Sequence, residues 1–284
     1  SAFVQSGKPH VTLRLLPERI PGFEELNLPA NVFEELGQLQ SGLVLVAGVT
    51  GSGKSTTVAA LVDWINTNRP LHIITLEDPI EYRHLNRKSI LSQRNVGTDV
   101  FDLPTAIYGA LRQDPDIIVI GELRDAKTIQ AAINAASTGH LVIGTMHANT
   151  AADVVGRLLS FFAPSERDLV RLQLREALQC VICQRLVPRI GGGRVPALEL
   201  LFNDTSVMSE ALASGNASSV RTAMQQTLSR SRLFETDLKR LTQEKVIAYE
   251  TGQAYATDTS VFEQMVLGTY APPTLDSMRY DYKG

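Results

Sequence analysis

Leu43-Val44-Leu45-Val46-Ala47-Gly48-Val49-Thr50-Gly51-Ser52-Gly53-Lys54-Ser55-Thr56 is the stretch that decides the fold. Its first five residues form a continuous apolar run, as expected of a strand buried on both faces. From Gly48 to Ser55 the chain fits G-x-x-x-x-G-K-[ST] at every fixed position. Gly48, Gly51 and Gly53 let backbone N–H groups turn inward and cradle phosphates, with Thr50, Ser52 and Thr56 filling out the loop. The N-terminus of the helix that follows adds partial positive charge. Lys54 is placed to neutralise the outer phosphates and the Ser55 hydroxyl to ligate Mg²⁺. ATP and Mg²⁺ are therefore the expected ligands.

Outward from this loop, similar apolar runs recur at Leu71 to Leu76, Ile117 to Ile120 and Leu141 to Ile143. Helical patterns fall beside them, at Ser55 to Asn66, Leu103 to Arg112 and Ala126 to Ser137. Strands alternating with helices predict an α/β core, a parallel sheet with helices on both faces. Beyond Asn149 the strand runs stop. Residues 151–187 read as two helices broken at Pro164, and a hairpin follows from Leu186 to Phe202 around Gly191-Gly192-Gly193. Upstream, Val11, Leu13 and Leu15 alternate before a proline-rich stretch, Pro17 to Pro29, which reads as a last strand and a linker. Ser1-Ala2-Phe3-Val4 looks like the middle of a strand, so a preceding segment is expected. The expected parts are 1–29 (end of an N-terminal module and linker), 30–203 (ATPase core) and 204–284 (helical region, with a loosely held tyrosine-rich tail).

Three further segments carry chemistry. Asp116-Ile117-Ile118-Val119-Ile120-Gly121-Glu122 ends an apolar strand on an acid, which beside a phosphate loop suits holding Mg²⁺, directly or through water. Leu76-Glu77-Asp78-Pro79-Ile80-Glu81 places three carboxylates at another strand end, where one can orient a water at the γ-phosphate. His140 and His147 flank the fourth strand with Thr138, Thr145 and Asn149 nearby, a candidate γ-phosphate sensor. Arg14, Arg19, Arg112 and Arg124 are candidates for completing a neighbour's site, because guanidinium offers planar, multi-donor contact to transition-state charge.

Composition bounds the alternatives. The 284 residues carry 27 Lys and Arg against 30 Asp and Glu, a net charge of -3 that argues against a nucleic-acid-coating protein. No apolar run reaches the roughly 20 residues that span a bilayer, so direct membrane insertion is not expected. The two cysteines, Cys180 and Cys183, could be half a zinc site or a redox pair. Their place in the apolar run Leu174 to Leu186 favours small core residues on a helix, and unpaired thiols suit a reducing cytoplasm.

Taken together, the boxes GVTGSGKST, ITLEDPIEY, DPDIIVIGELRD and TGHLVIGTMHANTA stand in the order of the type II/type IV secretion ATPase superfamily, which the chain resembles over nearly its whole length. The resemblance implies a RecA-like motor domain acting as a homohexamer, with ATP near subunit boundaries. Glu81 matches the family's catalytic base, Glu122 the acid of the second nucleotide box, and His140 and His147 the histidine box. Arg14 and Arg19 fall where a PAS-like N-terminal module brings arginines to nucleotide, with 1–17 its last strands. The chain is most similar to the PilT and PilU branch of pilus retraction ATPases, through Val181 to Val195 and the lack of the four-cysteine zinc element of assembly and export motors. It departs from that branch at Asp204 to Leu212, where an arginine-bearing helix linked to retraction is expected and no arginine stands. The implied partners are an inner-membrane pilus platform protein and a paralogous motor ATPase, at the cytoplasmic face of the inner membrane. An assembly or secretion motor, a non-hydrolysing regulatory subunit and a DNA-translocating motor are the rival readings.

Overall fold

Apolar runs bounded by glycine and polar residues become strands, and the stretches between them become helices that cover both faces. A computed structural model describes residues 2–12, 15–226 and 230–273; Leu13, Arg14 and the tyrosine-rich tail from Thr274 lie outside the described residues. In chain order the elements begin with β1 (Ala2–Gln5) and β2 (Lys8–Val11), a small antiparallel hairpin, and α1 (Ala30–Gln38). Next come β3 (Gly42–Ala47), α2 (Lys54–Asn68), β4 (His72–Glu77), β5 (Ile90–Asn95), α3 (Leu103–Ala110), β6 (Ile117–Ile120), α4 (Ala126–Ser137) and β7 (Leu141–Met146). After α5 (Asp153–Leu159) and α6 (Arg167–Ala177), β8 (Leu178–Pro188) and β9 (Arg194–Phe202) form a hairpin. Five helices follow: α7 (Ser206–Ser214), α8 (Ala217–Gln226), α9 (Phe234–Gln243), α10 (Tyr249–Tyr255) and α11 (Thr259–Leu267).

Seven strands make the main sheet in the order β5-β4-β6-β7-β3-β8-β9, parallel except for the β8–β9 pair. Side-chain alternation along each strand divides the core in two. Leu43, Leu45 and Ala47 of β3 join one cluster, against α3, α4 and the helices from α5 onward. Val44 and Val46 face the other, against α1 and α2. Each fully buried Leu or Ile on these faces contributes about 1.5–3 kcal/mol relative to exposure. The helix α4 starts where Asp125 caps it, its carboxylate accepting the Thr128 N–H at 2.9 Å.

One expectation is corrected, and one element was not anticipated. The apolar run through Cys180 and Cys183 is the buried strand β8, not a helix; α6 ends at Ala177. Strand formation follows from pairing on both sides, with β3 and β9, so Cys180 to Gln184 are all buried and no amphipathic period remains there to distinguish the run from a helix. Cys180 and Cys183 thereby fall on opposite faces of the sheet, one in each core cluster, and cannot share an ion or a disulfide. Burial pushes the Cys183 thiol up to about 12 and raises Cys180 as well. The element not anticipated is β5, Ile-Leu-Ser-Gln-Arg-Asn, whose polar composition hid it. Among the described residues no helix is long and apolar enough to cross a membrane.

Candidate nucleotide site

The carboxyl ends of β3, β4, β6 and β7 all point to one edge of the sheet, the usual place for a ligand in an open parallel sheet. There they frame a cleft of about 580 Å³ whose lining includes Lys54, Ser55, Glu77, Glu81, Glu122 and His147.

The phosphate loop is shaped by packing beneath it. Gly48 has φ +147°, and a Cβ there would meet the Gln184 carbonyl and the Ser52 Oγ at 2.5 Å. Gly53, at φ +90°, would meet the Gln184 side chain at 2.7 Å. Gln184 is the floor of the loop: its amide donates to the Ser52 carbonyl at 2.7 Å and its oxygen accepts from Thr57 Oγ1 at 2.7 Å. Lys54 Nζ donates to the carbonyls of Gly48 at 2.9 Å and Val49 at 3.1 Å. Partial burial lowers the Lys54 pKa below its ordinary value, while the charges of Glu122 and Glu81 pull it back. Thr50, Gly51 and Thr56 also line the cleft.

The acids take different environments. Glu77 accepts from Thr75 Oγ1 at 2.6 Å and from Gln93 at 3.2 Å, and burial raises its pKa against those bonds. Asp78 is paired with Arg124 at 3.1 Å. Glu81 sits on the loop after β4, which is held at several points. Ile80 N–H donates to Asn95, His84 N–H to Gln93, Gln93 to the Tyr82 carbonyl, and Tyr82 OH bonds Thr56 at 2.8 Å. At the end of β7, His147 Nε2 lies 3.2 Å from Glu122 Oε1.

Of the residues singled out in the sequence, Thr50, Gly51, Gly53, Lys54, Ser55, Thr56, Glu81, Glu122, His147 and Arg124 come together, while Gly48 and the buried Ser52 lie beneath the loop against Gln184. His140 does not. It precedes β7, at the opposite edge, about 20 Å of strand away from His147, and its Nδ1 lies 3.1 Å from the Ala135 carbonyl. The expectation that both histidines serve one cleft of the same chain is therefore corrected: a strand that carries His147 to the phosphate edge must carry His140 away from it. Arg19 is exposed and paired with Glu25 at 2.6 Å, away from the cleft lining, and Arg112 is likewise not among the residues that frame it. Gln184, Gln93, Tyr82 and Arg194 belong to the site without having been picked out. Gln184-Arg185 inside an apolar run, and Arg194 after three glycines, were the available signals.

The site suits a nucleoside triphosphate with Mg²⁺. The donors around the cleft are hydroxyl and carboxylate oxygens, from Ser55, Glu77, Glu81 and Glu122, hard ligands of the kind Mg²⁺ takes. Side chains at Gly48 and Gly53 would collide with Gln184 and Ser52 beneath the loop, so only glycine lets the backbone lie against that floor with its N–H groups free to turn toward phosphate.

Residues 5–266 match the family described as Type II/IV secretion system protein. Over 207 residues the chain is 44% identical to the type IV pilus retraction ATPase PilT of Pseudomonas aeruginosa, a match covering 73% of this chain and 60% of that protein. The chain thus spans less than two thirds of that relative's length. Over 254 residues it is 39% identical to the twitching motility protein of Neisseria gonorrhoeae, covering 84% and 68%. A crystal structure of the pilus retraction motor PilT with bound ADP superposes with a TM-score of 0.86 at 42% identity, covering 93% of this chain and 75% of that one.

Proposed function

The chain belongs to the Type II/IV secretion system protein family, and from that premise we propose that it is an ATPase motor of pilus retraction. The observation that carries the reading is the convergence of Lys54, Glu81, Glu122 and His147 on one cleft beside a glycine-lined loop. Backbone N–H groups of Gly51 to Ser55 and the Lys54 ammonium hold the triphosphate, and their charge is aimed where negative charge develops on phosphoryl transfer. Ser55, and Glu122 through water, would hold Mg²⁺, which would supply neutralisation of the phosphate oxygens. Glu81 takes the proton of the attacking water from its braced loop. His147, pinned to Glu122, reads the outer phosphate.

The wider proposal is a homohexamer in the cytoplasm at the inner membrane, coupled to a platform protein and open to a paralogous motor subunit. Lys54→Ala should abolish most phosphate release by pure protein; release near the wild-type level would sink the ATPase reading. Direction of force is tested in cells: deletion of the gene should leave excess surface pili, whereas bald cells would make it an assembly motor. A retraction-defective paralogue is the second reading, favoured by α7, Ser-Val-Met-Ser-Glu-Ala-Leu-Ala-Ser, which carries no arginine.

A further inference from the structure

Two consecutive residues of β8 leave the sheet on opposite faces. Gln184 goes to the phosphate loop. Arg185 goes the other way, and its guanidinium lies 3.9 Å from the centroid of the Phe234 ring. One terminal nitrogen donates to the Tyr255 carbonyl at 2.6 Å. The other donates to the Asn149 carbonyl at 2.9 Å and to Thr257 Oγ1 at 3.0 Å. Asn149 is two residues beyond His147. Phe234 opens α9, Tyr255 closes α10, and Thr257 precedes α11. One planar cation is therefore shared between the loop that bears His147 and three C-terminal helices.

A second tether runs parallel to it. Glu199, fully buried on β9, accepts the Ala151 N–H at 2.5 Å. Arg221 of α8 lies between Glu199, at 3.9 Å, and Glu235 of α9, at 3.5 Å, and Glu235 accepts the Asp258 N–H at 2.7 Å. Both tethers begin in the C-terminal helices and end on the backbone between His147 and Asp153.

We propose that Arg185 is a positioning residue for hydrolysis: it holds the His147 loop against Glu122 and makes that placement depend on the C-terminal helices. The inference rests on the reading of the cleft as an ATP site. The phosphate loop is supported from the other face of β8, by Gln184, so loss of Arg185 leaves nucleotide affinity intact. Turnover suffers, because a displacement of about 1 Å in a reacting constellation can cost up to about 10²-fold. Lysine is no substitute: a single ammonium on a flexible stem cannot stack on Phe234 and bridge carbonyls on both sides at once.

The test uses the assembled full chain. Saturating and subsaturating ATP turnover, titration with a fluorescent ADP analogue, and hydrogen exchange are compared for wild type, Arg185→Ala and Arg185→Lys. Both variants should lose at least about tenfold in kcat while ADP affinity stays within about twofold. Exchange should speed up in the peptide 147–153 and not in the peptide 48–57. Single-turnover rates of His147→Ala with and without Arg185→Ala should differ by less than about twofold, since the arginine acts through the histidine. If Arg185→Ala does not fold, Arg185→Lys carries the comparison. Unchanged kcat, affinity lost in step with kcat, unchanged exchange at 147–153, or losses that multiply in the double variant would each overturn the proposal. Wild-type protein that turns over no ATP overturns the reading of the cleft instead.

Discussion

Lys54 folds its ammonium onto the carbonyls of Gly48 and Val49, so its own loop occupies the charge that a phosphate would take. Glu81 stands differently, on a loop braced from Gln93, Asn95 and Thr56, and this separation of binding from proton transfer is testable. Glu81→Gln keeps volume and an acceptor but cannot take a proton. It should bind ATP with near wild-type affinity and hydrolyse it at least about 10²-fold more slowly. If affinity collapses instead, Glu81 is a ligand-holding group and Glu122 inherits the role of base. The residues of the phosphate loop were readable because they are contiguous, and the pattern is its own context. Gln184 was not, because its partners Thr57 and Ser52 stand 127 and 132 positions away and nothing local marks the meeting. His140 was misplaced for a geometric reason. Flanking a strand on both sides sounds like proximity, yet it puts the two ends at opposite edges of a parallel sheet.

At the level of elements, the buried strands β3, β4, β6 and β7 and the helices α2 and α4 were legible because a continuous apolar run or a helical period was unbroken in each. The strand β5 was not legible, and the reason is its task. Ile90 is exposed at the sheet edge, while Gln93 and Asn95 use their side chains to hold the Glu81 loop, so apolar alternation is replaced by polar function. Gln93→Ala removes two of those bonds, and a third to the Glu77 carboxylate, which is left with fewer partners in a buried place. The expected result is a fall in kcat of about tenfold, with KM for ATP nearly unchanged and a loss of roughly 1–3 kcal/mol in stability. Steady-state kinetics and urea unfolding read both; an effect on KM alone would show that β5 shapes the binding cleft rather than the loop. The strand β8 was missed from the opposite cause. Covered on both sides, its run Val181-Ile182-Cys183 has no polar face to reveal a period of two.

On the scale of the whole molecule, the C-terminal helices are joined to the sheet through a buried carboxylate. Burial first, then the charge of Glu235, pushes the Glu199 pKa up to about 7, against the Ala151 N–H bond and the charges of Arg221 and Arg185. A raised folded-state pKa means a contribution fully present below the unfolded value of 4.5 and lost as pH rises through about 7. At 1.36 kcal/mol per unit this amounts to about 3 kcal/mol across that window. Thermal midpoints should therefore fall between pH 5 and pH 8, and Glu199→Gln should flatten that fall; an equal slope in both proteins would place the loss elsewhere. Assembly is tested by mixing. If Arg19 leaves Glu25 to complete a neighbour's site, Arg19→Ala lowers turnover more than binding, and rings mixed from Arg19→Ala and Lys54→Ala chains recover activity that neither parent has. Mixed rings as inactive as their parents, with mixing verified by native mass spectrometry, would confine Arg19 to its own chain. The opposite facing of Gln184 and Arg185 has one more consequence, for how such a chain can vary by descent. One residue gained or lost between Leu178 and Cys183 would turn both side chains to the wrong side of the sheet together, detaching phosphate loop and histidine loop in a single event. Length can drift freely only at the hairpin tip, Gly191 to Gly193, so lineages should record their insertions and deletions there and keep the strand before it at constant length.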